Sequence, residues 1–340
     1  MNGMTRSMAA SSTPSLPAQN AFSLFWGPPL IRLKALSIRG VLSCLLIGLN
    51  LSAYIVPLHA HEIAILKSAN ITAYNQAISG FKSSMPPNTT FIEYDLKGDA
   101  QAGRTYAGKI RASGADLVLA VGSKAAIAAR LEIFDIPVVY SMVLHPGKYD
   151  LKAPNLVGVP SKPPIGQQLD TLRIVMPNLK RIGYLFDPDK TSPVQADTAA
   201  YARQLGITFI ERQVRAAEQV PAALRELLPD VDALWLVSDS TVLTEESFSF
   251  LLRAAFDRHI PVVGFDPEFT RRGALISFWI DSTDIGREAA HIAHTILAGA
   301  TGLPSKTPSL KQRMSLNLGT AAYLGITIPP AVQNTADETY

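Results

Sequence analysis

From His61 onward, short and almost continuous apolar runs alternate with longer stretches in which apolar residues recur every three or four positions. The short runs, rich in Val, Ile and Leu, read as strands buried on both faces, and the longer stretches as helices. The pattern predicts strands at 62–67, 90–95, 116–120 and 137–140, separated by helices at 73–84, 101–113 and 123–134. It breaks over 145–164, where Pro, Gly and Lys dominate and a short strand at 155–159 lies inside linker composition. It resumes with strands at 181–186, 207–211, 233–237 and 261–265 and helices at 193–205, 217–228 and 245–258. A last section holds strands at 274–279 and 313–318 around a helix at 284–298, with a helical turn at 320–324.

The two series repeat one another. Asp116-Leu-Val-Leu-Ala, a turn at Val121-Gly-Ser-Lys, a helix and Ile136-Pro-Val-Val form one βαβ unit. Asp232-Ala-Leu-Trp-Leu-Val, a turn at Ser238-Asp-Ser-Thr, a helix and Ile260-Pro-Val-Val form another. The expected fold is therefore α/β: two Rossmann-like lobes, each a parallel sheet flanked by helices, with a ligand cleft between them. The last section is too small to fold alone and must complete both lobes. The chain then crosses between lobes several times, and such crossings make a hinge. The expected division is a leader at 1–60, a first lobe at 61–143 plus about 276–312, and a second at 144–275 plus about 313–340.

With 340 residues, 47% of them hydrophobic, the chain is long enough for two cores. The formal charge of +3 belongs to the leader, which holds Arg6, Arg32, Lys34 and Arg39 and no acid. The remainder keeps 27 of the 31 basic residues against 28 acidic ones, so charge gives no argument for nucleic-acid binding. Arg32, Lys34 and Arg39 precede an apolar run over 41–56 and then Pro57-Leu-His-Ala60, the layout of an export signal cleaved after about Ala60. Gly48, Asn50 and Ser52 interrupt the run, which is short for a membrane span of ~20 apolar residues. Residues 1–31 are rich in Ser, Pro and Ala and are expected to be disordered or to precede the true start. Cys44 is the only cysteine, and Arg39 stands too close before it for lipidation there to be favoured. The expected location is the periplasm.

Ile260-Pro-Val-Val, Arg272-Gly-Ala-Leu-Ile-Ser, Asp284-Ile-Gly-Arg-Glu-Ala-Ala, Ile296-Leu-Ala-Gly, Leu316-Asn-Leu, Ala321-Ala-Tyr-Leu-Gly-Ile and Ile328-Pro resemble one family in order and spacing. It is the ABC-transporter substrate-binding proteins of the tryptophan/tyrosine-binding type, within the type I periplasmic binding proteins. Val121-Gly-Ser-Lys-Ala-Ala fits that family's Gly-Thr/Ser-x-Ala-Ala turn, and the resemblance covers residues 61–330. The chain departs from it at Leu144-His-Pro146, Lys148-Tyr-Asp-Leu and Ala153-Pro-Asn155, where the family has a Thr-Asp-Pro, a Gly-Leu and a Pro-Gly-Gly-Asn. The resemblance implies a monomeric, exported solute-binding protein that delivers an amino-acid-like or aromatic carboxylate to an ABC importer permease in the inner membrane. A periplasmic sensing module that presents its ligand-bound form to a membrane receptor is the alternative.

Ligands of open α/β sheets sit beyond the carboxyl ends of the strands. That rule selects Ser68 and Asn70, Gly122 and Ser123, Tyr140 and Ser141, Asp187, Asp239 and Ser240, and Asp266 as ligand-binding candidates. Gly122-Ser123 opens a helix whose free N–H groups suit a carboxylate, whereas Asp239 suits a cationic or hydroxyl-bearing part. Tyr140 and Phe265 are candidates to stack on a flat ligand. Ser and Asp at such turns serve equally well as plain helix caps. Trp235 reads as core. His291 and His294 share a helix face without further ligands, so no metal is expected. No Gly-x-Ser-x-Gly, His-Glu-x-x-His or P-loop occurs, and neither catalysis nor a cofactor is expected.

Overall fold

The computed structural model describes residues 60–191, 196–299, 302–303 and 310–340. The expected signal segment, its cleavage site up to His59, and Cys44 lie outside the described residues.

The first sheet contains β1 (Glu62–Lys67), β2 (Thr90–Asp95), β3 (Leu117–Val121), β4 (Val138–Ser141) and β5 (Leu156–Gly158). Their order is β2-β1-β3-β4-β5, and every pairing is parallel. The connecting helices are α1 (Thr72–Ser84), α2 (Ala102–Ser113) and α3 (Ser123–Glu132). Parallel neighbours need crossover connections, and crossovers place helices on both faces. β3, at the centre, is consequently buried at all five positions, while β2 at the edge is exposed at three of its six.

After α4 (Ile165–Val175) the second sheet starts with β6 (Arg181–Phe186), followed by α5 (Ala196–Gln204), β7 (Thr208–Gln213), α6 (Val220–Leu227) and β8 (Ala233–Trp235). Next come α7 (Glu245–Phe256), β9 (Val262–Gly264), α8 (Pro267–Arg271) and β10 (Ile276–Trp279). The long α9 (Ser282–Leu297) precedes β11 (Arg313–Leu316), α10 (Leu318–Tyr323), α11 (Pro330–Gln333) and β12 (Glu338–Thr339). Strand order is β12-β11-β10-β9-β8-β6-β7, parallel throughout except for the antiparallel β10–β11 pair. The fold is the expected α/β arrangement of two lobes.

Sheet membership moves two of the expected lobe boundaries. Leu156–Gly158, expected in the second lobe, pairs with β4 in the first sheet. Ile276–Trp279, expected in the first lobe, pairs with β9 and β11 in the second. The first two crossings therefore lie at 159–164 and 280–281, and the chain returns to the second sheet between α9 and β11. Immediately after the second, α9 packs on the first lobe, burying Ile285, Ala289, Ile292 and Ala293 with Ile78 and Phe81 of α1. The helix Ile165–Val175 is an addition to the expected elements. Pro163-Pro164 precedes it, and Ile165, Leu169, Leu172 and Val175 form its inward stripe.

Candidate functional site

In each sheet the strand order reverses beside the first strand of its series, between β1 and β3 and between β6 and β8. Crevices open at the carboxyl ends of strands on either side of such a reversal. The selected turns stand there. In the first lobe, Gly122 has φ +87° and caps α3. A Cβ on it would lie 2.6 Å from Ser68 Oγ and 2.7 Å from the Tyr74 hydroxyl, so glycine is required by conformation and by space. The Ser68 hydroxyl accepts the Ala125 N–H at 2.9 Å, supplying the cap of α3 from the neighbouring strand. The Gly122 N–H donates to the Ser141 carbonyl at 2.9 Å. Ser68, Gly122 and Ser141 thus form one group, with Ser123 half-buried beside it. Ser141 is 1% exposed, and its hydroxyl has no hydrogen-bond partner among the described residues.

The second-lobe turn uses its acids internally. Asp239 is buried; its Oδ2 accepts the Asp187 N–H at 2.8 Å, and its Oδ1 accepts the N–H groups of Thr241 and Val242 at 2.9 and 3.2 Å. Asp187 accepts the Thr241 hydroxyl at 2.7 Å and the Asp189 N–H at 2.9 Å, and these bonds hold its carboxyl below the ordinary range. Both carboxylates tie the β6 and β8 turns together. Asp266 caps α8 through the Glu268 N–H, and Asn70 accepts from the Asn75 amide. Ser240 is exposed. The Tyr140 ring lies against Gly158 of the next strand, where a Cβ would come within 2.1 Å of it.

A cavity of about 150 Å³ lies against the second sheet, where the two crossings meet it. Tyr184, Phe209, Trp235 and Phe278 line it from one face of β6, β7, β8 and β10, with Trp279 at the end of β10 and Ile280 from the second crossing. Ser161, Lys162 and Pro163 of the first crossing, Leu144, and Ile165 and Gln168 of α4 complete that side, and Ser238 and Phe265 the strand ends. The rings pack edge-on or tilted: Phe209 stands 6.2 Å from Tyr184 and 5.8 Å from Trp235. None of the ten selected residues lines this cavity. Tyr140 instead lines an adjoining cavity of about 280 Å³, which shares Leu144, Ser161 and Lys162 with the first.

Lys162 stands where the two cavities meet. Its Nζ lies 3.0 Å from His145 Nε2. The residue is exposed overall, yet burial of its ammonium by the surrounding protein pulls it down to about 8. Burial, reinforced by Lys162 and Lys148, pushes His145 down to about 4 against the opposing pull of Asp239. His145 is therefore neutral at pH 7 and accepts from Lys162. Lys148, after β4 of the first sheet, donates to the Pro188 carbonyl after β6 of the second at 3.1 Å. The segment 144–149, where the chain departs from the resembled pattern, is thus placed between the lobes. Sequence reasoning missed Lys162, His145 and the aromatic face. The signal for the last was present: large rings at inward-facing positions of adjacent strands, in register between Ile182 and both Phe209 and Ala233.

Comparison with known proteins agrees with this architecture. A tyrosine-binding protein from Clostridioides difficile is 24% identical over 213 residues, which is 60% of this chain and 61% of that protein. An uncharacterised Rickettsia prowazekii protein is 23% identical over 54% of this chain and 58% of its own length. The chain spans about three fifths of these curated relatives. Among solved structures, an ABC domain from Streptococcus pneumonia in complex with L-Trp superposes with a TM-score of 0.65 at 24% identity, covering 83% of this chain and all of that one. The ligand-free, open structure of a substrate binding protein with adhesive properties from Clostridium difficile gives 0.68 at 22% identity, over 82% of this chain and 99% of that one. These likenesses establish the fold. Residues 87–340, most of the chain and all of its second lobe, match the family described as ABC transporter substrate binding protein, and the chain belongs to that family.

Proposed function

We propose that this substrate-binding protein is exported, works as a monomer, captures a small carboxylate of amino-acid-like or aromatic type between its lobes, and delivers it to an ABC importer in the inner membrane. The observation that carries the reading is the aromatic cavity at the crossings, with Lys162 at its rim. Apolar walls with few polar groups are the usual composition of small-molecule sites. A ligand touching segments of both lobes favours the closed arrangement by its differential affinity, and the crossings are the hinge. Ser68, Gly122, Ser123 and Ser141 do not line the cavity, and in this reading they are the first-lobe surface that closure brings toward it. L-Trp in one solved relative and tyrosine in the name of another support an aromatic body. Export is supported by family membership and the leader; among the described residues no helix is long and apolar enough to cross a membrane.

The test is a thermal-shift screen of the purified protein against aromatic acids, amino acids, sugars and nucleosides. A ligand at a hundredfold excess over its Kd stabilises the folded state by about 2.7 kcal/mol. That corresponds to a rise of several degrees in Tm. If no small molecule in the panel raises Tm, the reading fails.

A further inference from the structure

Among the residues lining the aromatic cavity, Lys162 carries the only formal charge, and no lining residue is an acid. The carboxylates nearest in the fold are already engaged. Asp239 holds three backbone N–H groups, and Asp187 holds the Thr241 hydroxyl and the Asp189 N–H. Glu211, on β7, accepts the Tyr184 hydroxyl at 2.5 Å and stands outside the lining. Lys162, by contrast, contacts the neutral ring of His145, and no carboxylate among the described residues pairs with it. A ligand carboxylate entering the cavity meets a cation without a counter-ion. An ammonium group on the same ligand meets no acid among the lining residues, and the nearby carboxylates already have their acceptor oxygens occupied; a charge removed from water without a partner is strongly disfavoured. Size sets the apolar part: the cavity measures about 150 Å³, a volume that accommodates benzene in an apolar protein cavity, and Lys162 stands where it joins the neighbouring cavity of about 280 Å³.

Taking this cavity as the ligand site proposed above, we infer that the ligand is an amine-free carboxylate carried on a body the size of one six-membered ring, with Lys162 as its counter-ion. This reverses the role first expected for Asp239, because no cationic end of the ligand is held.

Isothermal titration of the purified protein with 3-phenylpropionate, phenylalanine, phenethylamine and 3-phenylpropanamide tests the inference, since the four share one ring and differ in charge. 3-Phenylpropionate is expected to bind at least about tenfold more tightly than each of the others, as loss of a charge-assisted contact implies. Lys162→Met should lower its affinity to that of the amide and leave the amide unchanged. Lys162→Arg, which keeps the charge, should retain the preference. Circular dichroism checks that both variants fold, and the side chain is exposed enough for both substitutions. Phenylalanine binding as tightly as 3-phenylpropionate, or a preference that survives Lys162→Met, overturns the inference and leaves the substrate-binding reading standing. If none of the four binds while another panel solute does, the inference fails and the ligand site lies elsewhere. If nothing binds, both readings fall.

Discussion

The same substitution, glycine to alanine, should move stability in opposite directions in two helices of the first lobe. Gly286 lies where α9 crosses α1. A Cβ added there would come within 1.9 Å of the Ala77 carbonyl oxygen and 2.9 Å of the Phe81 nitrogen. Gly80 makes the reciprocal approach, with its Cβ 2.3 Å from the Thr283 carbonyl oxygen. Non-bonded heavy atoms settle near ~3.5 Å, so the helices would have to part by more than about 1 Å. Both obstructions are backbone atoms, and no change of rotamer relieves them. Alanine gains about 1 kcal/mol over glycine in helix propensity, while overpacking costs about 1–3 kcal/mol and more where backbone must move. For Gly286→Ala the second effect wins, with a net loss of about 2 kcal/mol. Gly108 in α2 is exposed, and an added Cβ meets nothing within 4 Å. There the propensity acts alone, and Gly108→Ala should gain about 1 kcal/mol. Urea unfolding followed by far-ultraviolet circular dichroism reads both as shifts of midpoint at constant slope. A Gly286→Ala protein as stable as the parent would refute the close crossing, and a destabilised Gly108→Ala would refute the comparison. The result bears on function because α9 begins directly after the second crossing and anchors it to the first lobe.

Two further outcomes follow from the site. Asp239→Ala should destabilise the protein by about 3 kcal/mol, because it strands three inward-facing N–H groups at the β6 and β8 turns, with Asp239→Asn intermediate; an unchanged urea midpoint would show that the carboxylate is free for a ligand. Affinity for an anionic ligand should fall about tenfold between pH 7 and pH 9, because Lys162, held down to about 8, loses its proton across that window. The sign is fixed by burial: the folded protein releases this proton before the unfolded chain does, charged Lys162 costs stability below about pH 8, and a bound anion offsets that cost. His145 beside Lys162 also feels the charges of Lys148 and Asp239; His145 stays neutral over this range, so a flat titration from pH 7 to pH 9 would remove Lys162 from the site.

The pattern of apolar runs carried most of the fold because the parallel strands are buried on both faces. β1 and β6 begin and end where the spacing places them, since a shift by one residue would put a charge such as Lys67 or Arg181 into the core. The helix Ile165–Val175 escaped because it follows a Pro-rich linker, although its apolar stripe was there to read. The lobe boundaries slipped because β5 and β10 are a strand each at the ends of crossings. Which sheet such a strand joins depends on partners far away in sequence, Val138 and Val139 for β5 and Val263 for β10.

The site divides along a similar line. The strand-end rule selects one edge of each sheet, but it does not say whether a polar side chain faces a ligand or a turn. Ser68, Asp187, Asp239 and Asp266 face their turns, because tight βα connections leave backbone N–H groups that need an acceptor before any ligand arrives. What remains to distinguish a ligand is what the turns do not consume. In the first lobe that is the Ser141 hydroxyl; on the second it is a wall of rings whose alternation also reads as ordinary core, with Trp235 the case in point. A core and a pocket share one sequence pattern, and they separate only where the covering element stops short. Here α4 begins at Ile165, after Pro163-Pro164, and leaves the ends of β8 and β10 to be covered by the crossing that carries Lys162. In the proposed site, the charge of that one residue, set in a stretch that composition marks only as linker, gives the uncovered part of the core a preferred sign of ligand.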